Sequence, residues 1–252
     1  MMFMVSPVQT ATGAGAWDWI GCAQPTVAAR VQHRLPLARS GDGAESCNAC
    51  QESNAVIIVG DERLAEAECA AHRLVCPDCG GRLRKHGFSR PRSVRTRGGG
   101  RRGLRPARAR CTGPACRRTH VLLPAWCVPG RADDADTIGS ALLAAASGEG
   151  HRPIAERLKV PEGTVRGWLR AARAHTGWLY QAAASLLHAV DPDDPVVPPS
   201  GRSPLWHAVE ALGAAAAAIR RFFGAALHTS AWALIVLITA GRLLRPARTR
   251  SG

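Results

Sequence analysis

Acidic residues are almost missing from one stretch of this chain. Between Arg73 and Arg118 the only acid is Asp78, against 15 basic residues, while everywhere else 18 basic residues face 18 acids. Lysine is scarce too, with only Lys85 and Lys159 among 33 basic residues; alongside abundant Ala, Gly and Pro this reflects coding bias, and no function is drawn from it. The first residues lack a basic segment followed by an apolar run, which argues against a secretory signal and sets the expectation of a cytoplasmic, reducing compartment.

What is present is enough for one large domain or two small ones. The 252 residues are 46% hydrophobic and 21% charged, too apolar for a wholly disordered chain and too polar for a multi-span membrane protein. The net charge of +14 sits entirely in the Arg73–Arg118 stretch. Charge of one sign at that density is offset by a polyanion or left exposed, so nucleic acid is the first expected partner and an anionic membrane surface the second.

The nine cysteines are an odd number, which favours reduced thiols. Cys76-x2-Cys79, followed by Gly80-Gly81, and Cys111-x4-Cys116 have the spacing of two metal-binding knuckles. Four thiolates would close a tetrahedral site, so the expected Zn2+ is structural rather than catalytic. It would also matter for folding, because this segment has few large apolar residues. His86 and His120 are runner-up ligands. Cys47-x2-Cys50 could recruit Cys69 or a histidine but reads first as surface thiols, and Cys127 reads as a small buried apolar residue.

Along the chain, residues 1–54, including Trp17, Trp19 and Cys22, show no sustained period and are expected to have little order. Residues 55–127 read as a strand (55–59), a helix (61–73) and a four-cysteine ribbon whose stretches 82–86 and 93–97 alternate like hairpin strands. Residues 131–190 read as helices over about 133–147, 153–158, 162–173 and 178–190, with Pro153 at a first helical position. Residues 191–202 form a Pro-rich linker, and 203–252 a helical tail with helices near 204–223 and 230–244. The expected fold is therefore mainly α with a small β zinc ribbon, a homeodomain-like helix-turn-helix and a helical C-terminal tail.

Ile154, Ala155, Leu158, Val160, Val165, Trp168 and Leu169 have the apolar spacing of a helix-turn-helix. Its second helix would lie in the major groove, with Thr164, Arg166 and Arg170 meeting bases or phosphate. Glu162 could accept from cytosine or simply complement the helix dipole. Lys159, Arg173, Arg95, Arg97, Arg101 and Arg102 complete the expected double-stranded DNA contacts, the last four as backbone contacts from the ribbon. Trp168 reads as core.

The stretches Cys76-Pro-Asp-Cys-Gly-Gly81, Arg90-Pro-Arg-Ser-Val-Arg-Thr96, Arg108-Ala-Arg-Cys111, Thr119-His-Val-Leu-Leu-Pro124 and Thr164-Val-Arg-Gly-Trp-Leu-Arg170 resemble a family of uncharacterised proteins from high-GC bacteria, a domain of unknown function. They are also similar to the N-terminal halves of insertion-element transposases. The resemblance implies DNA binding without an established reaction. A transposase would continue into a nuclease domain with separated acids holding two metals, whereas only Asp191, Asp193, Asp194 and Glu210 follow here, so no catalytic residue is expected.

Residues 222–240 contain no Asp, Glu, Lys or Arg and approach spanning length. Gly224, His228, Thr229 and Ser230 interrupt them, and a cap at Thr229/Ser230 splits the run into two helices that bury against each other or against a second subunit in a homodimer. The first expectation is thus a nucleoid-associated DNA-binding regulator or transposase-derived protein that is not an enzyme. The alternatives are a DNA- or lipid-binding protein anchored by one C-terminal span, and the DNA-binding subunit of a recombinase.

Overall fold

A computed structural model describes residues 55–60, 62–191, 202–224 and 229–244. The expectations for residues 1–54, with Cys22, Cys47 and Cys50, and for nearly all of the linker lie outside the described residues. The fold is mixed α/β, 49% helix and 20% strand, rather than mainly α with a minor β element. Distant segments join one sheet, which is why the strand content exceeds the expectation.

Strand β1 (Ala55–Val59) and helix α1 (Glu62–Ala70) open the described chain. The strands β2 (Leu83–Phe88), β5 (Ala107–Cys111) and β6 (Thr119–Pro124) complete a four-stranded sheet of order β1-β6-β5-β2. β2/β5 and β5/β6 are antiparallel, whereas β1 lies parallel to β6 with Ile57 opposite Leu122. The alternation Ala-Arg-Ala-Arg-Cys in β5 puts Ala107, Ala109 and Cys111 on the buried face, where Ile57, Val59, Leu83 and Leu122 meet Ala65 and Cys69 of α1.

The expected hairpin strands do not pair with each other. β2 pairs with β5, and β3 (Arg92–Arg95) pairs with β4 (Arg101–Leu104) as a separate two-stranded hairpin. Gly98 and Gly99, at φ +91° and +87°, supply the left-handed backbone that the intervening turn requires. The inward residues of this hairpin, Val94 and Leu104, are buried with the helices and not with the sheet.

Six helices follow. In α2 (Ala135–Ala146) Asp134 is the N-cap, its carboxylate accepting from the Thr137 N–H at 2.8 Å. α3 (His151–Leu158) starts two residues before the expected Pro153, with Gly150 as N-cap; Pro153 is still in the first turn, where no intrahelical donor is lost. α4 (Glu162–Arg173) and α5 (Thr176–Val190) come next. α6 (Pro204–Phe223) is capped by Ser203 with Pro204 at its first position. α7 (Ala231–Ile238) is capped by Ser230 and stops short of the expected 244.

α6 and α7 share one buried cluster with α2, α4 and α5, including Leu142, Trp168, Leu179, Leu212, Ile219 and Leu234. Their apolar length is therefore used inside the chain. No described helix is long and apolar enough to cross a membrane.

One close approach fixes how α7 docks on α2. A Cβ added at Gly139 would lie 1.9 Å from Cδ2 of Trp232, so the indole occupies the space that any side chain would need. Gly139→Ala should lower stability by about 2 kcal/mol through overpacking, despite alanine's better helix propensity. Denaturant unfolding should show the same change as neutral or slightly stabilising in a Trp232→Ala background. An equal cost in both backgrounds would contradict this packing.

Candidate functional site

The strands end at a cluster of thiols. The Sγ atoms of Cys76, Cys79, Cys111 and Cys116 all lie within 4.8 Å of one another, with 3.8 Å between Cys76 and Cys116 and 3.4 Å between Cys79 and Cys111. A metal–thiolate bond of about 2.3 Å in a tetrahedron sets sulfur–sulfur edges of about 3.8 Å. The cluster therefore has the dimensions and the donor set of a four-thiolate metal centre.

Each knuckle is built by its backbone. The Gly81 N–H points at Cys79 Sγ at 3.4 Å, and the Gly113 N–H at Cys111 Sγ at 3.3 Å. A Cβ at Gly81 would come 3.0 Å from Cys111 Sγ, so a side chain there would crowd the sulfurs. Gly80 after the first pair and Arg117 after the second both adopt left-handed φ, +71° and +48°. Burial pushes the Cys76 thiol up to about 12 and raises Cys111, whereas the Gly81 N–H lowers Cys79. A cation held by the four sulfurs would offset that burial and favour the thiolate form.

His120 is fully buried with Nε2 3.3 Å from Cys76 Sγ, and the group Cys76, Asp78 and His120 is the second arrangement able to hold an ion. Its position beside one thiol, rather than inside the tetrahedron, makes it a support for Cys76. His86 is exposed on β2. Cys69 and Cys127 are buried in apolar surroundings, where burial raises both thiols, Cys127 to about 12, and they belong to neither arrangement.

The second feature is α4. Val165, Trp168, Leu169 and Ala172 are buried, and the opposite side presents Gly163, Arg166, Gly167, Arg170 and Arg173. No acid among the described residues is ion-paired with Arg166, Arg170 or Arg173. Nothing lies within 4 Å of a Cβ added at Gly163 or Gly167. Gly167, inside the helix, costs about 1 kcal/mol relative to alanine, and no packing by the described residues offsets that cost. Thr164 is half-buried, and the exposed Lys159 ends α3 with φ +52°.

Glu162 does not stand free for a base. Its Oε1 lies 2.9 Å from His151 Nε2 and accepts from Arg152 Nε at 3.4 Å, and the His151 bond holds its carboxyl below the usual range. It joins the starts of α3 and α4.

Two of the four arginines expected to contact DNA from residues 95–102 are occupied as well. Arg95 Nε and Nη2 donate to the two carboxylate oxygens of buried Asp133 at 2.8 and 3.0 Å. The Arg97 N–H donates to Asp134, so the β3–β4 hairpin is fastened to the start of α2 through two consecutive acids. Arg102 stacks on Trp126 at 4.2 Å and lies 3.8 Å from Glu62, which also accepts from Trp126 Nε1. Only the side chains of Arg97 and Arg101 remain exposed without a described acidic partner. These contacts were invisible to spacing because their partners lie far away in sequence.

Residues 76–168 match the family described as Domain of unknown function (DUF6431). The matched stretch begins at the first thiol of the cluster and ends at the buried tryptophan of α4, so it holds the thiols, the hairpin, α2, α3 and the first half of α4. No curated protein and no solved structure matches the chain.

Arg95→Ala should destabilise the fold by about 2 kcal/mol, because it strands the Asp133 carboxylate inside the protein. Arg97→Ala and Arg101→Ala should each change stability by no more than about 0.5 kcal/mol. Equal effects in thermal unfolding of all three would remove Arg95 from the seam.

Proposed function

We propose that this chain is a non-enzymatic, sequence-specific duplex-DNA-binding protein of the cytoplasm, a regulator or a transposase-derived protein. In this reading the four thiolates hold a structural Zn2+ in a zinc ribbon, and α3 and α4 form a helix-turn-helix. The observation that carries it is the exposed side of α4. Three arginines without acidic partners among the described residues stand beside two helix-weakening glycines whose side-chain space no described residue fills. Bare backbone flanked by cations suits a helix that must lie close to an anionic groove.

In this reading each residue has a task. Arg166 and Arg170, one turn apart, reach guanine O6 and N7 or clamp phosphate, while Gly163 and Gly167 let the helix backbone sink toward the bases. Thr164, at the start of α4, and Lys159, just before it, contact phosphate. The Glu162 contacts with His151 and Arg152 set the angle between the two helices. Zn2+ supplies no reaction chemistry; it would be held by Cys76, Cys79, Cys111 and Cys116 and would fix the ends of β2 and β5.

Selection of bound sequences from a random duplex pool tests the reading. The wild-type chain should recover a defined site, and Arg166→Ala/Arg170→Ala should lose about 1–3 kcal/mol of preference per contact while still folding. An unchanged ratio of site to random affinity would overturn the assignment of α4.

Gly167→Ala gives an independent check with opposite signs in two measurements. Its melting temperature should rise, corresponding to about 0.5–1 kcal/mol, while affinity for the selected site falls by about tenfold. A gain in stability without a loss of affinity would mean that nothing approaches the helix at that point.

A further inference from the structure

Among the described residues, the two faces of the sheet are covered unequally. α1 packs over Leu83, Ala107, Ala109, Cys111 and Leu122, and the Lys85 ammonium on that side pairs with Glu66 at 2.9 Å. On the other face, Ile58 and Leu123 are buried against the helices, but among the described residues the remainder is less covered: Val56 is 38% exposed, Arg84 is exposed, and Arg108, Arg110, Thr119 and Val121 are half-buried. Strand alternation places Arg84 of β2 and Arg108 and Arg110 of β5 on this less covered part, beside Thr119 and Val121 of β6.

The register makes the arrangement costly for the isolated chain. Arg84 stands directly opposite Arg110 across the β2/β5 pair, and Arg110 in turn opposes Thr119. Like charges directly opposite one another destabilise a strand pair. None of these arginines is ion-paired with an acid among the described residues, and Arg108 Nε is buried without a hydrogen-bond partner. A partner that brought anionic oxygens to the face would offset that cost, and the four-thiol cluster lies at the adjoining strand ends.

We infer that this less covered sheet face, carried by Arg84, Arg108 and Arg110, seats the phosphate backbone of duplex DNA at a surface separate from α4. The inference rests on the DNA-binding reading but concerns different residues. It replaces Arg95 and Arg102, which are engaged within the chain, as the source of salt-sensitive affinity. Arginine is suited to this because its planar fork meets phosphate oxygens in pairs.

The test compares the metal-loaded full chain with R84Q/R108Q/R110Q and R166A/R170A, each first shown to melt cooperatively. Anisotropy measures binding to a random duplex and to the selected site over a range of salt, and flotation measures binding to phosphatidylserine vesicles. The triple variant should lower the slope of log K against log salt by about 2 to 3, with its site-to-random ratio unchanged. R166A/R170A should lose the ratio and keep most of the slope on random duplex.

A triple variant with the wild-type slope overturns the inference and leaves the α4 reading standing. A lowered slope together with an undiminished ratio in R166A/R170A does the reverse. A wild-type chain that binds vesicles but not duplex overturns both.

Discussion

The structure depends on the meeting of four sulfurs. The buried cluster of the sheet contains only ten residues, of which three are cysteines and three alanines, so apolar burial contributes little there. Against that small core stand the cost of ordering the chain and the repulsion among cations on β2 and β5. Both knuckles reach the cluster from strand ends, with two backbone N–H groups already aimed at sulfur. A cation bound by the four thiols would therefore join the two strands that repel most and hold the sheet on which α1 rests.

The helical part has a different source of stability. It buries a large apolar cluster that includes the C-terminal helices, and its tightest fit is the Trp232 indole over Gly139. The boundary between the two parts does not follow the end of the cysteine-bearing segment. The β3–β4 hairpin, although inserted between β2 and β5, contributes Val94 and Leu104 to the helical core and fastens Arg95 and Arg97 to the start of α2. The hairpin and the helical part are in this way linked by buried carboxylates as well as by chain connectivity.

Much of the local structure was legible in the sequence. The Cys-x2-Cys and Cys-x4-Cys spacings pointed to the thiols that the fold brings together, and the apolar spacing of α4 gave its two ends and its buried face. Ser203 and Pro204 marked the start of α6. What spacing could not reveal was pairing at a distance. The parallel register of β1 on β6, the engagement of Arg95 and Arg102, and the need for glycine at 139 all depend on residues remote in sequence. Local signals also misled where two starts competed, as at α3, where Gly150 capped the helix before Pro153 could begin it.

Hydrogen exchange measured before and after metal removal by a chelator tests the central claim most directly. The account predicts that amides of β2, β5 and β6 lose their protection when the metal leaves, while those of α2, α4 and α6 keep most of theirs. Sheet amides that remain as protected without metal as with it would contradict the claim that four thiolates hold this part of the protein together.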